Sequence, residues 1–142
     1  MPDTLKERPV YRNIHISEIA SYRLPPAGIV SILHRISGMA MFLLMPFVIW
    51  LFDTSLTSEI SFDAFRSVFL AGFGPFPAFL VKLATLGLIW AYLHHFCAGV
   101  RHLYMDATHS VTKEFGRTSA IATLAVSLVL TLLLGAKLFG LY

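Results

Sequence analysis

The stretch GIVSILHRISGMAMFLLMPFVIWLF at 28–52 is long and apolar enough to cross a bilayer as a helix, which takes about 20 residues. Its first third nevertheless carries a histidine and an arginine, His34 and Arg35, within SILHRISG at 31–38. A cation at the edge of an apolar helix is costly to bury, so it needs a route to water or a partner. Ahead of the stretch, Pro25 and Pro26 break any helix arriving from the N-terminal side.

Two more stretches have the same character. One spans 78–105 and follows GFGPFP at 72–77, whose Pro77 suits a helix start. The other spans 119–141, with Thr118 or Ser119 as its expected N-cap. At ~1.5 Å per residue the second helix is roughly 42 Å long, so it should protrude from the hydrocarbon, at the end near Arg101 and Asp106. Hydrophobic residues make up 56% of the chain and charged residues 13%. Soluble domains carry about 25% charged residues, so the composition is that of a membrane protein. The expected architecture is an all-α integral membrane chain, with an N-terminal segment at 1–27 and a three-helix anchor at 28–142.

The formal charge of +3 is too small and too scattered to imply nucleic acid. The single cysteine, Cys97, rules out an internal disulfide, a Cys-rich metal site and covalent haem attachment through C-x-x-C-H. The first 27 residues carry Asp3, Glu7 and Glu18 and lack an apolar core, unlike a signal peptide or a transit sequence.

Charge sets the expected orientation. Lys6, Arg8, Arg12, Arg23, Arg35, Arg101, Lys113 and Arg117 lie at one end of the three spans, and only Arg66, Lys82 and Lys137 at the other. Eight against three puts the N-terminus in the cytoplasm and the C-terminus outside. The segment at 53–77 is then external, and FDAFRSVF at 62–69 reads as a short amphipathic helix lying on the lipid interface.

The polar residues of the spans carry the chemistry. Ser31, His34, Arg35 and Gly38 are at offsets 0, 3, 4 and 7 and share one helix stripe. Arg35 alone is equally accounted for by snorkelling to the headgroups, with Ser31 bonding its own backbone. That reading leaves the histidine and glycine on the same face without a purpose. A donor-rich patch facing protein would instead bond a carbonyl oxygen or pair with a carboxylate. In HHFCAGVRH at 94–102, His95, Gly99 and His102 form another single face, with His94 turned about 100° away. A buried histidine is commonly a packed core residue, but ionisable groups within a membrane span are usually functional. Imidazole is a frequent axial ligand of non-covalently held haem, and Gly99 would leave room for the porphyrin. His34 lies about one turn deep and His95 roughly ten residues deep, a difference of ~6 Å along the axis. That suits two parts of one haem: His95 at the iron, His34 and Arg35 at the propionates. A second axial histidine must then come from another polypeptide.

RPV at 8–10, YRLPPAGIVSILHRISG at 22–38 and HFCAGVRHLYMD at 95–106 resemble the cytochrome b556 subunits of succinate dehydrogenase, the larger haem anchors of respiratory complex II. The motifs occur in the family's order and the resemblance covers essentially the whole chain. It implies half of a haem-binding helical bundle, completed by a smaller three-helix membrane subunit. Together the two anchors would hold a flavoprotein and an iron–sulfur protein in a bacterial cytoplasmic membrane, a processed mitochondrial chain being the alternative. Succinate would be oxidised at the flavin of the flavoprotein, with no succinate-oxidising site in this chain, and electrons would reach ubiquinone at the inner face. Carried over by position, His95 is this chain's axial ligand to haem b, Ser31 and Arg35 bind quinone, and His34 and Arg35 approach the propionates. Asp106 takes the family's acidic position after helix 2. VYRNIHISEIAS at 10–21 departs from the Ser-Pro-His element of many relatives, and His15 is given no site role. Competing readings are a fumarate reductase anchor and a non-redox membrane protein whose histidines only pack.

Overall fold

The computed structural model describes residues 13–142. The Arg-Pro leader at 8–10 and three of the basic residues assigned to the inner end, Lys6, Arg8 and Arg12, lie outside the described residues. Three long helices form the body: α2 (Pro26–Thr57), α4 (Ala78–Thr108) and α5 (Lys113–Leu138), each long and apolar enough to span a membrane. A short helix α1 (Ile16–Ser21) precedes them, and α3 (Glu59–Leu70) with the strands β1 (Gly72–Phe73) and β2 (Phe76–Pro77) connects α2 to α4. His15 lies at the start of α1, where its backbone N–H donates to Glu18 and its ring pairs with Ser17.

The helices outrun their apolar stretches because polar residues finish their ends. At the far end of α2, the hydroxyls of Thr54, Ser55 and Thr57 donate to the carbonyls of Trp50, Phe52 and Asp53, which extends a helix expected to stop at 52. Inside α2, Pro46 supplies no N–H to the ladder. α5 begins at Lys113, six residues before the expected start. Its N-cap is Thr112, whose hydroxyl accepts from the Phe115 N–H at 3.2 Å, and Glu114 in the first turn complements the helix dipole. A polar first turn is invisible to a hydrophobicity reading. α5 ends at Leu138 rather than 141, where Gly140 turns the chain at φ 76°.

The connecting segment contains the amphipathic helix expected at 62–69. α3 opens with a capping box formed by Ser58 and Ser61, packs through Phe65, Val68 and Phe69, and exposes Asp63 and Arg66. Gly72, at φ 108°, lies so close to the Phe76 carbonyl that the hairpin has no space for a side chain there.

The core is small and polar. Its fully packed apolar residues are Val30 of α2, Ala98 of α4 and Ala120 of α5. Along α5, Ala120, Thr123, Ser127, Thr131 and Gly135 recur every three or four residues, and all are buried. They face Ala91, His94, Ala98 and Arg101, the buried seam of α4. Small residues bring the two backbones together, the arrangement that replaces hydrophobic association inside lipid. Leu86 of α4 lies over Gly135. Large residues such as Phe42, Leu43, Phe96 and Leu132 point outward, available to lipid or to other chains.

Candidate functional site at the basic end

α4 carries two seams about 100° apart. One, just described, packs on α5. The other carries His95, Gly99 and His102 and meets α2. The adjacent histidines divide between them: His94 is fully buried with its Nδ1 3.4 Å from Ser127 Oγ of α5, whereas His95 turns to α2.

The α2–α4 crossing is a reciprocal glycine–histidine contact. A Cβ on Gly38 would lie 2.6 Å from His95 Cε1, and one on Gly99 would lie 3.8 Å from His34 Nε2. Each imidazole occupies space on the other helix, but only Gly38 is sterically required. A methyl at Gly99 makes an ordinary contact, so a need for glycine there would have to come from something outside the chain. The His34 and His95 rings stack with centroids 4.1 Å apart, and His102 adjoins His34 at 5.2 Å. The rings are therefore in contact, with His95 against Gly38 and His34 against Gly99, one turn apart on each helix.

The hydrogen bonds fix one ring in detail. His95 Nδ1 lies 3.0 Å from the His34 carbonyl oxygen. A carbonyl only accepts, so Nδ1 carries the proton and Nε2 is left with its lone pair. Ser37, buried in α2, donates to the same carbonyl at 3.0 Å and lies 3.4 Å from His95 Nδ1. This is the support that metal-bound histidines typically have, a backbone carbonyl fixing tautomer and ring angle. The chain therefore fits an axial ligand to haem at His95. Stacked rings leave no room for an iron between them, so His34 cannot be the opposing ligand in this arrangement. Among the described residues no three metal-ligating side chains converge. Ser37 lies inside SILHRISG, yet nothing in its spacing assigned it to His95; only the α2–α4 crossing does so.

Ser31 and Arg35 occupy the same stripe of α2. In this helix Ser37, Thr54, Ser55 and Thr57 turn their hydroxyls back onto carbonyls three or four residues earlier, but Ser31 makes no such bond. The Arg35 side chain is exposed, and the hydrogen bonds beside it run between His34, Ser37 and His95 without including it. Arg101 differs. Expected near water, it is 8% exposed and donates to Ser119 Oγ at 2.9 Å and to the Gly116 carbonyl at 3.2 Å, joining α4 to the start of α5. Asp106 is exposed, and its backbone carbonyl accepts from the His109 ring at the end of α4. An apolar cavity of about 770 Å³ lies towards the opposite end, lined by Met45, Val48, Phe69, Leu88 and Tyr92 among others, away from this cluster.

Gly38→Ala tests the crossing. The methyl group would press on a ring held by the His34 carbonyl, and haem content per purified complex is expected to fall roughly 10-fold, in the range of supporting-residue effects at metal sites. Unchanged content would show that the ring moves aside freely.

Three bilayer-length helices, with imidazoles and a guanidinium gathered where α2 and α4 cross, define a multi-pass membrane protein with a cluster of polar side chains at its basic end. The chain belongs to the succinate dehydrogenase/fumarate reductase transmembrane subunit family, which matches residues 4–134. The succinate dehydrogenase cytochrome b556 subunit of Coxiella burnetii is 34% identical over 118 residues, 83% of this chain and 90% of that protein. The subunit of the same name from Paracoccus denitrificans is 34% identical over 112 residues, 79% of this chain and 81% of that protein. The one from Rickettsia felis is 24% identical over 116 residues, 82% of this chain and 85% of that protein. The resemblance carried by SILHRISG and HFCAGVRH is borne out.

Proposed function

We propose that this chain is the haem-carrying membrane anchor of a succinate:quinone oxidoreductase, with its basic end on the cytoplasmic side. Its partners are a smaller haem-anchor membrane subunit, an iron–sulfur subunit and a flavoprotein subunit. His95 Nε2 supplies one axial ligand to haem b and the smaller anchor supplies the other. The observation that carries this reading is the His95 Nδ1–H bond to the His34 carbonyl, which leaves a fixed imidazole with a lone pair to offer. When bound, the haem supplies reversible one-electron storage. His34 and Arg35 belong to the crossing where its carboxylates would be received, as a ring donor and a guanidinium.

Ser31 and Arg35 hold ubiquinone. Reduction places negative charge on a quinone oxygen before protons arrive, and a guanidinium at the membrane boundary favours that charge over the neutral ring. The Ser31 hydroxyl, one turn away on the same stripe and without a hydrogen bond among the described residues, donates to the quinone as well. The chain's part in turnover is thus to position quinone and haem and to anchor the soluble subunits, with succinate oxidised elsewhere in the complex.

The test is purification of an affinity-tagged chain from membranes of the native host. The expected result is a reduced-minus-oxidised α-band of b type that co-elutes with succinate-dependent quinone reduction. A purified chain with neither a Soret band nor that activity would overturn the reading.

A further inference from the structure

His94 takes no part in the site just described, yet its side chain is 0% exposed in the middle of a membrane span. It borders all three long helices. On its own helix the ring stacks on Trp90, with centroids 5.4 Å apart and planes 19° apart. On α5, Ser127 Oγ lies 3.4 Å from Nδ1 and donates its own proton to the Leu124 carbonyl at 3.1 Å, so its lone pair is what the ring meets. On the α2 side the backbone of Val30 adjoins the ring, and among the described residues Nε2 has no partner within hydrogen-bond geometry.

Burying an imidazole with one nitrogen bare is unfavourable, and an apolar residue would fill the seam at no such cost. We infer that His94 is a positioning residue for haem: through Ser127 it fixes the rotation of α4 about its own axis and so aims His95 at α2. Consecutive residues are about 100° apart, so a rotation that moves His94 off Ser127 moves His95 off the His34 carbonyl by the same angle. For a side chain at ~5 Å from the axis, a turn of 20° displaces the ring by roughly 2 Å, well beyond hydrogen-bond tolerance. The small residues of the α4–α5 seam present little shape to resist such a turn. The polar contact supplies the direction they lack. Arg101, two turns on along the same seam, restrains the end of α4 through Ser119 and Gly116, so the middle of the helix depends on His94.

This inference rests on His95 as the haem ligand, and the experiment separates the two. His94→Leu, His94→Asn, Ser127→Ala, the double variant His94→Leu/Ser127→Ala and His95→Ala are made in the assembled complex. Each is measured for the low-field electron paramagnetic resonance signal of oxidised haem and for the rate of haem transfer to apomyoglobin. Asparagine keeps a donor close to the Nδ1 position, and leucine keeps only the bulk. The expected result is that His94→Leu and Ser127→Ala shift the signal alike and non-additively. Haem transfer should be about 10-fold faster in both, with His94→Asn close to wild type. Wild-type signals in His94→Leu and Ser127→Ala overturn the inference. So does an equal loss of haem in leucine and asparagine variants with no signal shift, which would mark simple packing. If His95→Ala keeps the wild-type signal, the ligand assignment fails instead.

Discussion

His95→Ala is expected to remove essentially all b-type absorbance from the purified complex while leaving the chain in the membrane. The substitution deletes the imidazole whose Nδ1 bonds the His34 carbonyl at 3.0 Å, a contact that fixes its tautomer and leaves Nε2 with a lone pair. His34 does not replace it, because its ring stacks against the vacated position and its Nε2 is directed at Gly99. His94 does not replace it either, since it faces α5 about 100° away. Packing cost stays moderate. Truncating a well-packed side chain costs about 2–5 kcal/mol, and His95 is only half-buried, while Val30, Ala98 and Ala120 pack the three long helices together without it. The cavity left beside Gly38 has the shape of an imidazole, so exogenous imidazole is expected to restore part of the band. A band unchanged by the mutation would move the ligand to another residue or chain. Loss of the chain itself from membranes would show that haem or the ring is needed for assembly.

The three spans were legible because runs of apolar residues at membrane length admit few other structures. Their ends were less so. α5 begins with Lys113, Glu114 and Arg117, residues that lower any hydrophobicity average yet form a capped first turn on Thr112. The candidate site was readable as helix stripes, since SILHRISG and HFCAGVRH each place their polar residues on one face. What one sequence does not carry is which stripe meets which helix. Arg101 illustrates this: a lone cation near a helix end reads as solvent-facing, and only the packing of α5 makes Ser119 and the Gly116 carbonyl its acceptors. The same holds for Ser37 and for the division of His94 and His95 between two seams, both of which depend on contacts between residues more than 30 positions apart.

Arg35→Ala is expected to lower quinone reduction by roughly 10²–10³-fold, the usual effect of deleting one donor aimed at developing negative charge. Succinate oxidation measured with a water-soluble acceptor should stay within about twofold of wild type, because that chemistry is expected in another subunit. The chain contains an internal contrast that sharpens this. Arg101 is buried and committed to α5 by two hydrogen bonds, so its loss would act through packing. Arg35 is exposed, takes no part in the bonds that hold the crossing together, and shares a stripe with Ser31, whose hydroxyl makes no hydrogen bond among the described residues. Two polar groups that make no side-chain hydrogen bond among the described residues, one turn apart on the same stripe, are best accounted for by a ligand that uses both. Arg35→Lys should recover part of the activity, since it keeps the charge but loses the planar fork. Ser31→Ala should cost about 0.5–1.5 kcal/mol, a few-fold to ~10-fold, as expected for one neutral hydrogen bond. Equal loss of both activities in Arg35→Ala would mean that the guanidinium secures assembly rather than quinone. Unchanged quinone reduction would leave the snorkelling account of this arginine standing.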